Sequence, residues 1–410
     1  MKVLFVPWRN GGLSHLIPLV ALHRMLRARS VETAFLLSDD WPKKLGEKNR
    51  ILQQLDIPVL PIDYCNLIRS ELRAYREFVP DVVVDDCSLT TGYASKRYGM
   101  PRVSIRRTGS FPFERPRNAA HRHSMPLAVE QLPDMRPYGF QRPSSISLPD
   151  LFAGDLNIVP GVPSIEALPD EIQGDPSYVF SGPLVVEDVL ICDPGIGSAD
   201  TSHVDVRDFG PLDRFFAENR GRTSVYVTHG LIATPPAEIV QCMRYLLERD
   251  CAIVTSIRSE SLALRGGSRY FYAPYLPLGY VCDRVALAIH HCGNATYHYP
   301  ILSGVPSITV GTACYDRENI AARLEELGVS RHLPSPVECT EFKACFVEAF
   351  EECFEGSGEV YAKRKERCGR LREEIEQTVG SFDLHEALAA LVKGRLRPAQ
   401  ASGGGAGGSP

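Results

Sequence analysis

The feature that most constrains this chain is a strict alternation of short β-rich runs with stretches of helical period, and it occurs twice. Apolar, β-branched runs at residues 3–6, 33–37, 82–84 and 102–105 alternate with helical periods at about 15–29 and 67–78. The second half repeats the pattern, with strands expected at 224–228, 252–255, 285–289 and 307–310 and helices at about 236–248, 295–302 and 316–327. Parallel neighbours need a crossover, and a helix is the usual one, so the alternation predicts parallel sheets with helices on both faces. At 410 residues and 44% hydrophobic the chain exceeds one comfortable core. The expectation is therefore an α/β protein of two doubly wound, Rossmann-like domains facing one another across a cleft.

The first domain is expected over residues 1–182 and the second over 213–380. They are separated by a linker at 183–212 that is rich in Asp, Gly and Pro and includes Asp193-Pro194-Gly195-Ile196-Gly197. An amphipathic helix at 381–397 comes next, and the Gly-rich tail at 398–410 is expected to be disordered. An irregular stretch at about 108–149, with many Pro, Arg and His residues, is long for a connection inside a compact domain.

A formal net charge of −5 gives no basic field, so nucleic acid is not an expected partner and a small molecule is. Only four apolar residues separate Lys2 from Pro7-Trp8, too few for a signal-peptide core, and no later run has the length of a membrane span. A cytoplasmic protein without a stable membrane anchor is expected. Twelve scattered cysteines with no Cys-x-x-Cys pair read as reduced thiols. His290, His291 and Cys292 are adjacent strand residues that alternate in face, which disfavours joint chelation of zinc.

In doubly wound sheets ligands bind outside the carboxyl ends of the strands. After the run at 285–289, His291-Cys292-Gly293-Asn294 turns into a helix expected to begin near Ala295 or Thr296. Such a turn aims unpaired backbone N–H groups and the positive helix end at one point, which suits a diphosphate. In the first domain the run at 3–6 enters Pro7-Trp8-Arg9-Asn10-Gly11-Gly12-Leu13-Ser14-His15-Leu16-Ile17-Pro18, which sets His15 at the start of a helix and at the cleft. The positive helix end favours the neutral imidazole that a general base needs. A carboxylate to orient it is available at the end of Val82-Val83-Val84-Asp85-Asp86; if the strand continues, Asp85 and Asp86 point to opposite faces and only one reaches His15. Gly-x-Gly-x-x-Gly is absent after Val6, so nicotinamide chemistry is not expected.

His290-His291-Cys292-Gly293-Asn294-Ala295-Thr296, followed by Ser303-Gly304-Val305-Pro306, Asp316-Arg317 and Leu327-Gly328-Val329, resembles the donor signature of GT-B glycosyltransferases of the UDP-glycosyltransferase superfamily. Tyr275-Leu276-Pro277 resembles the family's aromatic-x-Pro element, Val225 to Gly230 its opening donor strand, and Gly-x-x-His-x-x-Pro around His15 its acceptor-activating element. The resemblance implies an inverting transferase of natural-product type. It implies His15 as catalytic base and Asp86 or Asp85 as its partner: counting from Pro80 selects Asp86, counting back from Pro101 selects Asp85, and Asp86 is preferred. For the donor it implies Gly12, His229, Gly230, Tyr275, His291, Gly293, Asn294, Ala295, Thr296, Asp316 and Arg317, with Tyr275 stacking on the base. A nucleotide-sugar donor and a small-molecule acceptor are the implied partners, and no metal or other cofactor is, in keeping with the absence of any Asp-x-Asp pair.

Two positions depart from the family. Tyr299 stands where most relatives carry a ribose-binding Glu, which tilts the donor toward a deoxyribose nucleotide such as dTDP. Arg317 replaces the Gln of an Asp-Gln pair and brings a fixed positive charge to the donor. These departures keep alive a non-catalytic, nucleotide- or partner-binding relative; a nucleotide-sugar epimerase is the rival among enzymes.

Overall fold

The computed structural model describes residues 1–8, 13–37, 58–63, 67–107, 136–141, 151–186, 209–230, 236–273, 276–312, 315–355 and 358–394. The first sheet holds β1 Lys2–Pro7, β2 Glu32–Leu37, β3 Val59–Pro61, β4 Val82–Asp86, β5 Arg102–Ile105, β6 Leu156–Val159 and β7 Tyr178–Phe180. Its order is β3-β2-β1-β4-β5-β6-β7 and every pairing is parallel. The second holds β8 Ser224–Val227, β9 Ala252–Thr255, β10 Tyr270–Tyr272, β11 Leu287–His290, β12 Ser307–Val310 and β13 Ser330–Leu333, all parallel, in the order β10-β9-β8-β11-β12-β13. Two doubly wound sheets are thus present, as the alternation predicts.

Helices α1 Leu13–Arg27, α2 Leu67–Phe78 and α3 Thr91–Tyr98 belong to the first half. The second half carries α4 Gly210–Glu218, α5 Ala237–Glu248, α6 Glu260–Gly266, α7 Leu278–Cys282, α8 His298–Leu302, α9 Tyr315–Glu326 and α10 Phe342–Phe350, and after these come α11 Gly358–Ser381 and α12 Leu384–Val392. None of the described helices is long and apolar enough to cross a membrane.

Strand residues of alternating parity feed the two faces of the first sheet. Phe5, Val82, Val84, Val103 and Ile105 pack with Leu16 and Leu19 of α1. Leu4, Val6 and Val83 pack with Ile68 and Leu72 of α2 and Ala94 of α3. Leu384, Leu388 and Leu391 of α12 join the α1 face, so the chain's last described helix returns to the first core. Burying each leucine contributes about 1.5–3 kcal/mol, and Asp383 caps the helix by accepting from the Glu386 N–H at 3.0 Å. Within the expected 183–212 linker, Leu184 and Val186 are buried in the first core and Leu212 in the second half's.

A further cluster joins the halves: Val162 and Ile165, just beyond β6, pack against Tyr297, Ile301, Leu324 and Leu371. The Tyr297 hydroxyl donates to buried Glu166 at 2.5 Å, and Arg323 Nε donates to the Ser164 carbonyl at 2.7 Å.

In each sheet the chain winds outward from one central strand and returns on its other side, at β1/β4 and at β8/β11. These reversals open a crevice at the strands' carboxyl ends. Asp86 ends β4, and His291 comes directly after β11.

Candidate active site

His15, the third residue of α1, points its Nδ1 at Asp86 Oδ1, 2.8 Å away. Asp86 is fully buried, whereas the His15 side chain keeps 15% exposure, so the pair runs from the interior to the cleft. The Trp8 ring, just past β1, meets the imidazole edge-on at 4.8 Å. Of the two aspartates, parity chooses Asp86: it pairs in register with Ile105 on the α1 face. Asp85 faces the other way, where it accepts from Arg102 Nε at 2.7 Å, Arg102 Nη2 at 3.1 Å, Ser104 Oγ at 2.8 Å and the Ser88 N–H at 3.1 Å. Asp85 therefore does not reach His15, and its candidacy is corrected: its oxygens are engaged on the opposite face.

Sequence reading missed Arg107. Its Nη1 and Nη2 each donate to one Asp86 oxygen at 2.6 Å, and Nη2 also donates to the Ser14 carbonyl at 2.8 Å. Burial by itself would raise the Asp86 carboxyl, but Arg107, aided by His15, overcomes this and holds it well below the usual carboxylate range. The signal was present in the sequence: two arginines end the run at 102–107 beside two aspartates that end the run at 82–86. His15, Asp86 and Cys87 bring three ligand-type atoms within 4.8 Å of one another. With a guanidinium on both carboxylate oxygens and burial pushing the Cys87 thiol up, that donor set fits acid–base work better than a cation.

In the second half, β8 ends at Val227 and leads through Thr228 to His229 and Gly230, while β11 leads to His291. The His229 and His291 ring centroids lie 6.2 Å apart. Two glycines bracket His291: a Cβ on Gly230, at φ +89, would stand 3.0 Å from Nε2, and one on Gly293 would stand 2.7 Å from it. Among the described residues the Nδ1 atoms of His229 and His291 are buried without a hydrogen-bond partner. Burial, then Arg317, lowers both imidazoles, His291 further because His290 and His229 crowd it. The result is a bed of two neutral imidazoles beside one guanidinium.

The turn from Gly293 to Thr296 is half-buried, and the Gly293 carbonyl accepts from the Thr296 N–H at 2.7 Å and the Tyr297 N–H at 3.2 Å. The helix expected from Ala295 or Thr296 begins only at His298. Pro300 explains the delay: without an N–H it belongs in a first turn, whereas a helix begun at 295 would need its missing bond to the Thr296 carbonyl. Cys292 has φ +53, a left-handed conformation that costs a non-glycine residue about 1–2 kcal/mol.

His229, Gly230, His291, Gly293, Asn294, Ala295, Thr296 and Arg317 thus lie at or beside the carboxyl end of β8 and β11, and His15 and Asp86 at that of β1 and β4. Asp316 sits in the first turn of α9, its side chain outside those described. Gly12 and Tyr275 lie outside the described residues, as does most of 108–149. Tyr299 is buried among Tyr226, Val254 and Leu276, so the position offers an aromatic core residue and no carboxylate.

No family model and no curated protein matches the chain. Solved structures do. The spinosyn forosaminyltransferase SpnP is 16% identical, covers 96% of this chain and 99% of its own, and superposes with a TM-score of 0.64. The glycosyltransferase VinC in complex with dTDP is 15% identical over 96% of this chain and 100% of its own, with a TM-score of 0.63. A UDP-glucose:anthocyanidin 3-O-glucosyltransferase in complex with UDP is 17% identical over 96% and 98%, with a TM-score of 0.67. Over 96% of its length, the chain matches structures of the GT-B fold.

Proposed function

We propose that this GT-B protein is an inverting glycosyltransferase that moves a sugar from a UDP- or dTDP-linked donor to a hydroxyl of a small-molecule acceptor in natural-product biosynthesis. The observation that carries the reading is the His15–Asp86 contact of 2.8 Å at one switch point, with the His229, His291 and Arg317 bed at the other. His15 Nδ1 is engaged by Asp86, which leaves Nε2 to take the proton of an acceptor hydroxyl. Asp86 stabilises the imidazolium that forms, and the acceptor oxygen attacks the anomeric carbon as the nucleoside diphosphate leaves. Arg317, the imidazoles and the turn at 293–296 stabilise the departing charge. This mechanism needs no metal ion.

Tyr299 supports a dTDP donor. A ribose 2'-hydroxyl gains nothing from a buried aromatic ring where a carboxylate would bond it. The experiment is a thermal-shift panel of UDP, dTDP, GDP and NAD, since a ligand that binds only the native state raises stability by RT ln(1 + [L]/Kd). The expected order is dTDP above UDP, with little shift from GDP or NAD. A chain that responds to none of the nucleoside diphosphates is not a nucleotide-sugar transferase. His15→Ala should keep the dTDP shift and lose transfer in a screen of UDP- and dTDP-hexoses against hydroxylated aglycones.

A further inference from the structure

We infer that Arg107 is a positioning residue for the His15–Asp86 pair, neutralising the Asp86 carboxylate and tying it to the helical turn that carries His15. This rests on the reading of His15 as the base and names a residue that reading does not require.

The tie depends on Pro18. In α1 the Ser14 carbonyl would accept from the N–H of the fourth residue on, which is Pro18 and has none. Arg107 Nη2 takes that place at 2.8 Å while both guanidinium arms hold Asp86 at 2.6 Å. One rigid fork therefore fixes the carboxylate relative to the residue preceding the base. A proline inside a helix and a buried arginine two residues past a neighbouring strand make a single joint.

The charge consequence comes from counting. Among the described residues, the titratable or charged groups around His15 are Asp86 and Cys87 from the end of β4 and Arg107 from beyond β5. Arg107 also bears on Tyr297 in the second half, and the nearest arginines of α1, Arg24 and Arg27, bear on His23 further along the helix. Asp86 and Arg107 together are neutral, so an imidazolium at His15 leaves the cluster with one net positive charge. With Arg107 removed, the carboxylate would stabilise the imidazolium alone, and His15 would hold its proton to higher pH.

The test is an NMR titration of the His15 imidazole in the full chain for the wild type, Arg107→Gln and Arg107→Lys. Arg107→Gln should raise the midpoint by about one pH unit or more, the usual reach of an unscreened carboxylate. Arg107→Lys, which keeps the charge and loses the fork, should leave the midpoint near the wild-type position and lower kcat about tenfold with donor KM unchanged. An unmoved midpoint in Arg107→Gln, or an equal shift in Arg107→Lys, overturns the inference. Pro18→Ala tests the tie without disturbing a buried charge: it returns an N–H to the Ser14 carbonyl and should lower kcat several-fold, and an unchanged kcat contradicts the tie. The titration reads the coupling whether or not sugar is transferred. A shifted midpoint without any transfer therefore sinks the transferase reading alone, and transfer with an unmoved midpoint sinks this one alone.

Discussion

Asp85 and Asp86 are neighbours in sequence, equally buried, and each is gripped by an arginine from the adjacent strand or its end. They differ in what else reaches them. Asp85 is closed off by Arg102, Ser104 and the Ser88 N–H, with the buried acid Glu71 on the same face. Asp86 has an outlet, the partly exposed imidazole of His15. The same carboxylate with the same kind of partner is a structural knot on one face of a strand and the inner half of an acid–base pair on the other. One residue of parity makes the difference.

The largest expected effect that sharpens this contrast is on stability. Asp85→Asn leaves Arg102 buried with a broken partner, and its unfolding free energy in urea should fall by about 3–5 kcal/mol. A loss below about 1 kcal/mol would mean that the knot is not structural.

The next effect is one of sign. Burial, the dominant influence, raises the Glu71 carboxyl despite hydrogen bonds from Thr90 and Tyr75. Between the ordinary glutamate value and that raised one, the folded state holds more protons than the unfolded, so stability falls as pH rises. Asp86 runs the other way. Its carboxyl is lowered, so its contribution is present above the ordinary aspartate value, about 3.9, and lost as pH falls below it. Urea denaturation of Glu71→Gln should therefore show a flatter decline above about pH 4.3 than the wild type. An identical decline would contradict a raised Glu71 carboxyl.

The smallest effect distinguishes the faces most finely. Ser104→Ala removes one donor from Asp85 and should cost about 1 kcal/mol of stability while leaving turnover per folded molecule unchanged. If Ser104→Ala altered kcat, the two faces would be coupled.

Much of the fold, and the place of the candidate histidines within it, was legible in the sequence, for identifiable reasons. The alternation of β-rich and helical runs specified both parallel sheets, because parallel strands require crossovers. His15 and His291 were legible because each comes after a strand at a chain reversal. The choice of Asp86 over Asp85 was a preference only, since two anchors gave different counts and the β4/β5 register decides. Arg107 escaped because it acts through that same register from outside its strand. The start of α8 was misplaced although Pro300 marked it. The docking of α12 on the first core was illegible for another reason: an amphipathic helix announces that one face is buried and says nothing of which core receives it.

The contrast between the two aspartates is tested most directly by kcat/KM, per folded molecule, for Asp86→Asn and Asp85→Asn side by side with the donor and acceptor that turn over. Asp86→Asn should lose on the order of 10²–10⁴-fold with dTDP binding intact, while Asp85→Asn, once corrected for its folded fraction, should stay within a few-fold of the wild type. Equal losses in the two variants, or normal turnover by Asp86→Asn, would contradict the assignment of Asp86 as the partner of the base.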